Sequence, residues 1–260
     1  MLCREIIQEI EKVYPKSAAL GFDNVGLLAG RMDKEVSQIY VALDATEEVI
    51  QHAIEAKADL LITHHPLIFS PLKSVTDEDF VSRRILTLIQ HDISYYAMHT
   101  NYDVLGMAAL AEQKLYLHDT EVLDVTMEVE EQQEGIGRIG TMEHAMSLQA
   151  CCQFVKFALG VDHIKVFGDL DQTVSKMAVC PGSGKSVIGE AISKGAHVLV
   201  TGDIGHHEGL DAVEQGLCII DAGHYGTEYM FLDDIEGFLK EHFDTLCFTK
   251  EPIKMPFQIV

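Results

Sequence analysis

The chain has 260 residues, 47% hydrophobic and 23% charged, with 41 Asp and Glu against 19 Lys and Arg for a formal net charge of −22. That balance argues against a general nucleic-acid binder, because phosphate contacts need clustered Lys and Arg, and leaves room only for a minor basic patch; a phosphorylated small molecule stays open if a metal supplies the positive charge. No stretch approaches about 18 uninterrupted apolar residues and the six cysteines show no CxxC spacing, so the chain reads as a reduced, cytoplasmic protein without a membrane partner.

In chain order, the opening MLCREIIQEIEKVYP has an amphipathic helical pattern. Strand-like runs then follow at IYVALD (39–44), DLLITH (59–64), ISYYAMH (93–99), KMAVC (176–180), HVLVTG (197–202) and LCIIDAG (217–223). Helical patterns fill the gaps, for example Val49, Ile50, Ala53, Ile54 and Lys57 behind a predicted N-cap at Thr46. Strands alternating with helices predict βαβ units and an α/β fold. The stretch 124–137, DVTMEVEEQQEGIG, is acidic and Gln-rich without a core pattern, and reads as a surface loop or hairpin at a domain boundary. The final CFTKEPIKMPFQIV reads as a strand broken by prolines that returns to the first half. The expected domains are 1–126 with 247–260, and 127–246.

Sliding the chain by 138 residues lays VIQHAIEAKADLLIT (49–63) on VIGEAISKGAHVLVT (187–201) without a gap, sharing Val49, Ile50, Ala53, Ile54, Ala58, Leu61 and Thr63. YAMHTNYD (96–103) matches DAGHYGTE (221–228) at another offset; each is a strand end, a His, three residues and a carboxylate. The same order of elements in both halves predicts two related α/β domains.

Two stretches imitate phosphate loops. GIGRIG (135–140) satisfies GxGxxG, yet VEEQQE precedes it where a dinucleotide site needs an apolar strand. PGSGKS (181–186) ends like a P-loop, but Val179 stands where the first glycine belongs. It reads as a Gly-rich strand-to-helix turn.

In an open α/β sheet, chemistry gathers at the carboxyl ends of strands. His64 and His65, His99 and Asp103, and His224 and Glu228 all fall at such ends. So many ionisable groups at buried strand ends are costly unless a cation compensates them. Imidazole with carboxylate suits Zn, Fe, Mn, Co or Ni, and five ligands exceed the three that one catalytic zinc takes, so two ions per chain are expected.

At these motifs the chain resembles the GTP cyclohydrolase type-two homologue family, also called the Nif-three-like dinuclear metal centre proteins. The resemblance rests on FDNVGL (22–27), HHPLIF (64–69), HTNYD (99–103), TGDIGHHE (201–208) and GHYGTE (223–228), and extends over nearly the whole chain. It implies metal ligation by His64, His65, Asp103, His224 and Glu228, with Glu228 bridging, His65 and Asp103 on one ion, and His64 and His224 on the other. It also implies two intertwined α/β domains in a toroidal homohexamer. Phe22 stands where the family has Trp, which bears on packing.

Two functions stay open at this stage. One is a dinuclear metal-dependent hydrolase of a small nucleotide-like or phosphorylated substrate, with His99 as a catalytic proton-transfer residue and His207 as a support or a plain structural residue. The other is a non-catalytic metal-binding, sensing or scaffold protein.

Overall fold

In the computed structural model, which describes all of Met1–Val260, the strands in chain order are β1 (Gly26–Ala29), β2 (Gln38–Ala42), β3 (Leu60–Thr63), β4 (Ser94–Ala97), β5 (His118–Val129), β6 (Gln132–Ser147), β7 (Lys165–Phe167), β8 (Thr173–Ser183), β9 (Val198–Gly202), β10 (Cys218–Asp221) and β11 (Cys247–Lys250). All six predicted strand runs are present, within two residues at the edges except where β8 extends further at both ends. The chain divides into two compact units, Met1–Tyr102 with Tyr229–Lys254, and Asp103–Glu228 with Met255–Val260. These limits differ from 126/127 and 246/247. The acidic stretch 124–137 forms part of a long hairpin, with β5 paired to β6 from His118↔Thr141 to Val129↔Gln132. Glu130 and Glu131 make its turn with φ of 49° and 68°, the left-handed pair that matches strand twist. Ladder hydrogen bonds hold both arms in one sheet, so no boundary can pass between them.

The first unit holds a sheet in the order β1-β4-β3-β2-β11. Strands β11, β2, β3 and β4 pair in parallel, and β1 lies antiparallel on β4. All four residues of β3 are buried, the state of a parallel strand covered on both faces, and this is why it reads as an unbroken apolar run. Burying each of Leu60, Leu61 and Ile62 stabilises the unit by roughly 1.5–3 kcal/mol. Helix Glu47–Glu55 starts where predicted, the Thr46 side chain accepting from the Val49 N–H at 3.1 Å. Its buried Val49, Ile50 and Ala53 pack with Leu61, Leu88 and Tyr95. The tail strand β11 returns to pair with β2, but the expected return of the whole tail 247–260 holds only as far as Lys254, since Met255–Val260 belong to the second unit.

The second unit holds a sheet in the order β5-β6-β8-β9-β10-β7, with β8, β9 and β10 parallel and the other pairings antiparallel. Each unit thus contains the same motif, three parallel strands with an antiparallel strand on the third. The register agrees as well: Tyr40↔Leu61 and Val41↔Ile62 in one unit become Ala178↔Leu199 and Val179↔Val200 in the other, each number displaced by the 138 residues of the sequence repeat. GIGRIG lies inside β6, and PGSGKS runs from the end of β8 into a turn of 3-10 helix, Gly184–Val187; neither is a phosphate loop. Five cysteines are buried and Cys247 is exposed. Phe22, read as a packing residue, is 63% exposed, with its ring tilted against that of another exposed residue, Phe69, at a centroid distance of 6.2 Å. No helix is long and apolar enough to cross a membrane.

Candidate functional site

In the first unit the histidine pair is an extension of β3. The backbone N–H groups of His64 and His65 continue its ladder to the carbonyls of Ala42 (3.3 Å) and Leu43 (2.9 Å). The Tyr95 hydroxyl then fixes the turn, donating to the His65 carbonyl (3.0 Å) and accepting from the Leu67 N–H (2.8 Å). His99 arrives from the end of the neighbouring strand, β4. The ligand-capable atoms of His64, His65 and His99 all lie within 4.8 Å of one another. The His64 ring is wholly buried against Phe231 and Tyr102, with ring centroids 5.2 and 6.1 Å away.

Each of these rings is held through Nδ1. His64 donates to the Met98 carbonyl, His65 meets Asp44 Oδ1 and His99 meets Asp23 Oδ1, all at 2.9 Å. A donating Nδ1–H leaves the lone pair on Nε2, and a carbonyl or carboxylate behind the ring is the usual support of a metal-binding imidazole. Asp23 is the more enclosed of the two carboxylates. Its side chain is fully covered and also accepts from the Thr100 N–H (2.9 Å) and the Thr100 hydroxyl. Burial alone would raise its pKa, but the hydrogen bonds from His99 and Thr100 outweigh it and hold the carboxyl far below the ordinary carboxylate range.

In the second unit His224 opens the short helix His224–Glu228, which puts Glu228 one turn later with its Oε2 3.2 Å from His224 Nε2. Asp203 Oδ2 sits 2.7 Å from His224 Nδ1. Burial lowers the His224 pKa, but Glu228 by hydrogen bond and charge, and then Asp203, reverse this and bring it up to about 9. Two carboxylates on one half-buried ring call for a positive charge, either a proton or a metal cation. Asp103 opens a π-helical turn, Asp103–Met107, an irregularity frequent at functional sites. Burial raises the pKa of the Cys180 thiol, and the charges of Asp103, Glu228 and Asp124 raise it further, so Asp103 and Glu228 share one neighbourhood.

Two glycines shape this site. A Cβ on Gly182, whose φ is +70°, would stand 2.3 Å from Glu228 Oε1. A Cβ on Gly202 would stand 2.5 Å from the His224 backbone nitrogen. Gly202 and Asp203 occupy the repeat positions of His64 and His65, so the second unit replaces one imidazole by clearance and the other by a support. The donor set, the buried carboxylate of Glu228 and the Nδ1 anchors all fit a divalent cation.

The six predicted site residues are thus divided by unit. His64, His65 and His99 come together in the first, and Asp103, His224 and Glu228 belong to the second. His207 is exposed on helix His206–Glu214, with its ring 5.1 Å from that of His206. The supports Asp23, Asp44 and Tyr95 are not evident from the sequence. Asp23 and Asp44 carry one signal, a carboxylate within FDNVGL or at a strand end.

The protein family described as Duf34/NIF3 (NGG1p interacting factor 3) matches residues 1–256. A protein of Clostridium perfringens named "GTP cyclohydrolase 1 type 2 homolog" is 35% identical over 265 residues, covering 100% of both chains. One of Streptococcus pneumoniae with the same name is 35% identical over 247 residues, covering 93% of this chain and 91% of its own. Among solved structures, a Bacillus cereus protein related to NIF3 superposes with a TM-score of 0.90 at 27% identity, covering 100% of this chain and 99% of that one.

Proposed function

The chain belongs to the Duf34/NIF3 family, and from that premise we propose that it is a dinuclear metal-dependent hydrolase of a small nucleotide-like substrate. The observation that carries the reading is the set of imidazoles within 4.8 Å, His64, His65 and His99, each anchored behind the ring. In the proposal His64, His65, Asp103, His224 and Glu228 hold two divalent ions, drawn from Zn, Fe, Mn, Co or Ni. Chain connectivity supports joining ligands of both units: the chain leaves the first unit after Tyr102 and re-enters it at Tyr229, so Asp103 and Glu228 are each peptide-bonded to it. When bound, such ions supply Lewis acidity and lower the pKa of water.

The protein's own residues do the rest. Asp23 holds the His99 ring in one tautomer, with Nε2 available to accept and return a proton. Asp44 and Asp203 keep His65 and His224 in place, and Gly182 leaves room for the Glu228 carboxylate. Assembly as a homohexamer is part of the proposal. The test is hydrolysis of a nucleotide panel, GTP included, by metal-loaded protein beside a His64→Ala control; equal rates in both would overturn the hydrolase reading.

A further inference from the structure

The second unit contains a cavity of about 420 Å³ with His224 in its wall, within the roughly 300–1,000 Å³ of small-molecule sites. Its other walls include Tyr225 and Phe257, and its polar groups include Lys165, Asp203 and Asp221. Two of these polar groups are already committed. Asp221 accepts from the Gly223 N–H (3.0 Å) and the Ile204 N–H (3.0 Å) and pairs with Lys165 at 2.8 Å, while Lys165 also donates to the Ile204 carbonyl at 2.6 Å. Lys165 is therefore neutralised and is a poor phosphate anchor. Asp203 differs: Oδ2 is on His224 Nδ1, and its side chain is 55% exposed, leaving Oδ1 an acceptor toward a ligand. Phe257 is 51% exposed, and its ring approaches to 4.0 Å from where a Cβ of Gly223 would lie. A half-exposed aromatic side chain over a glycine backbone at the mouth of a cavity has a face left to cover.

We propose that this cavity takes the flat, N–H-bearing heterocycle of the substrate, stacked on Phe257 and Tyr225 with its donor edge on Asp203, and that it does not take the phosphate. The inference rests on the function proposed above and adds to it which part of the substrate lies beside His224. An anion is disfavoured at the Asp203 edge, because Lys165 is ion-paired with Asp221 and the positive charge at His224 is already matched by Asp203 and Glu228. An edge rich in N–H donors is favoured because a carboxylate oxygen only accepts. The segment Pro256–Ile259 then acts as the outer wall of the site, contributed by the last residues of the chain.

The experiment is equilibrium binding to the metal-loaded full chain of three probes: guanosine, which carries ring N–H donors; caffeine, which is flat and has none; and inorganic phosphate. Each is measured with wild type and with Phe257→Ala, metal content being determined in both. Guanosine is expected to bind more tightly than caffeine, to be undisturbed by phosphate at this site, and to lose about tenfold in affinity in Phe257→Ala, the size of one lost base–aromatic stack, with metal content unchanged. Equal guanosine affinity in the two proteins, caffeine binding as well as guanosine, or competition by phosphate that accounts for the binding would each overturn it. Guanosine binding that depends on Phe257 without turnover of any nucleotide would keep the cavity and remove the hydrolase; turnover indifferent to Phe257→Ala would do the reverse.

Discussion

His99 Nδ1 and Asp23 Oδ1 lie 2.9 Å apart, joining the end of β4 to a loop 76 residues earlier in the chain. The contact sets which nitrogen of His99 carries the proton and gives a fully covered carboxylate side chain its partner. Two motifs far apart in sequence, FDNVGL and HTNYD, are thereby one piece of machinery. The same device recurs at His65 with Asp44 and at His224 with Asp203.

Replacing Asp23→Asn keeps the shape and removes the charge. The Asp23 carboxyl is held below its ordinary 3.8, so its contribution to stability is present above that pH and is lost as pH falls through the depressed folded value. Denaturant titration is expected to find Asp23→Asn less stable by about 1.5–3 kcal/mol at pH 7, with the gap to wild type closing below about pH 4. A gap that does not change with pH would mean that the charge contributes nothing.

Tyr95→Phe removes the hydroxyl that the Leu67 N–H and the His65 carbonyl share. The His65 carbonyl keeps the Thr63 hydroxyl at 2.8 Å, so the loss falls on the half-buried Leu67 N–H and costs about 0.5–1.5 kcal/mol. Because the turn after His65 loosens, metal affinity should fall together with stability. Competition with a chelator measures the first and thermal unfolding the second; lowered stability with unchanged affinity would make Tyr95 purely structural.

What the sequence shows and what it hides follow from distance along the chain. The runs LLIT and VLVT are legible because central parallel strands are apolar throughout. The ligand candidates were legible because they cluster at strand ends in short motifs. Asp23 lies within FDNVGL with nothing local to indicate that it faces His99. The hairpin β5–β6 was blurred by its polar, half-exposed alternation. The unit limits were hidden because the chain crosses between Tyr102 and Asp103, inside the HTNYD motif, where composition does not change.

Gly182→Ala places a Cβ 2.3 Å from Glu228 Oε1 at a φ of +70°. The left-handed backbone and the crowding should together cost roughly 1 kcal/mol or more. The sharper readout is metal content: the variant should bind its ions more weakly while retaining the far-ultraviolet circular dichroism of the wild type. Undiminished affinity would show that the Glu228 carboxylate does not need the clearance.

His224 has its pKa raised from 6.5 to about 9 by Glu228 and Asp203 against the effect of burial. A group raised on folding gives stability that is complete below its unfolded pKa and disappears as pH climbs through the folded one. Metal-stripped protein should therefore lose stability between about pH 6.5 and 9, and metal uptake within that window should release protons. His224→Gln should abolish that slope; a slope that survives the substitution belongs to another group.

The central claim is that His64, His65, Asp103, His224 and Glu228 hold two ions, and the number of ions per chain tests it most directly. Elemental analysis of folded wild type, His65→Ala and Glu228→Gln proteins, each loaded with excess metal and desalted, is expected to give two ions per chain for wild type and fewer for both variants. Two ions retained in His65→Ala or Glu228→Gln, or one or none in wild type, would contradict the account.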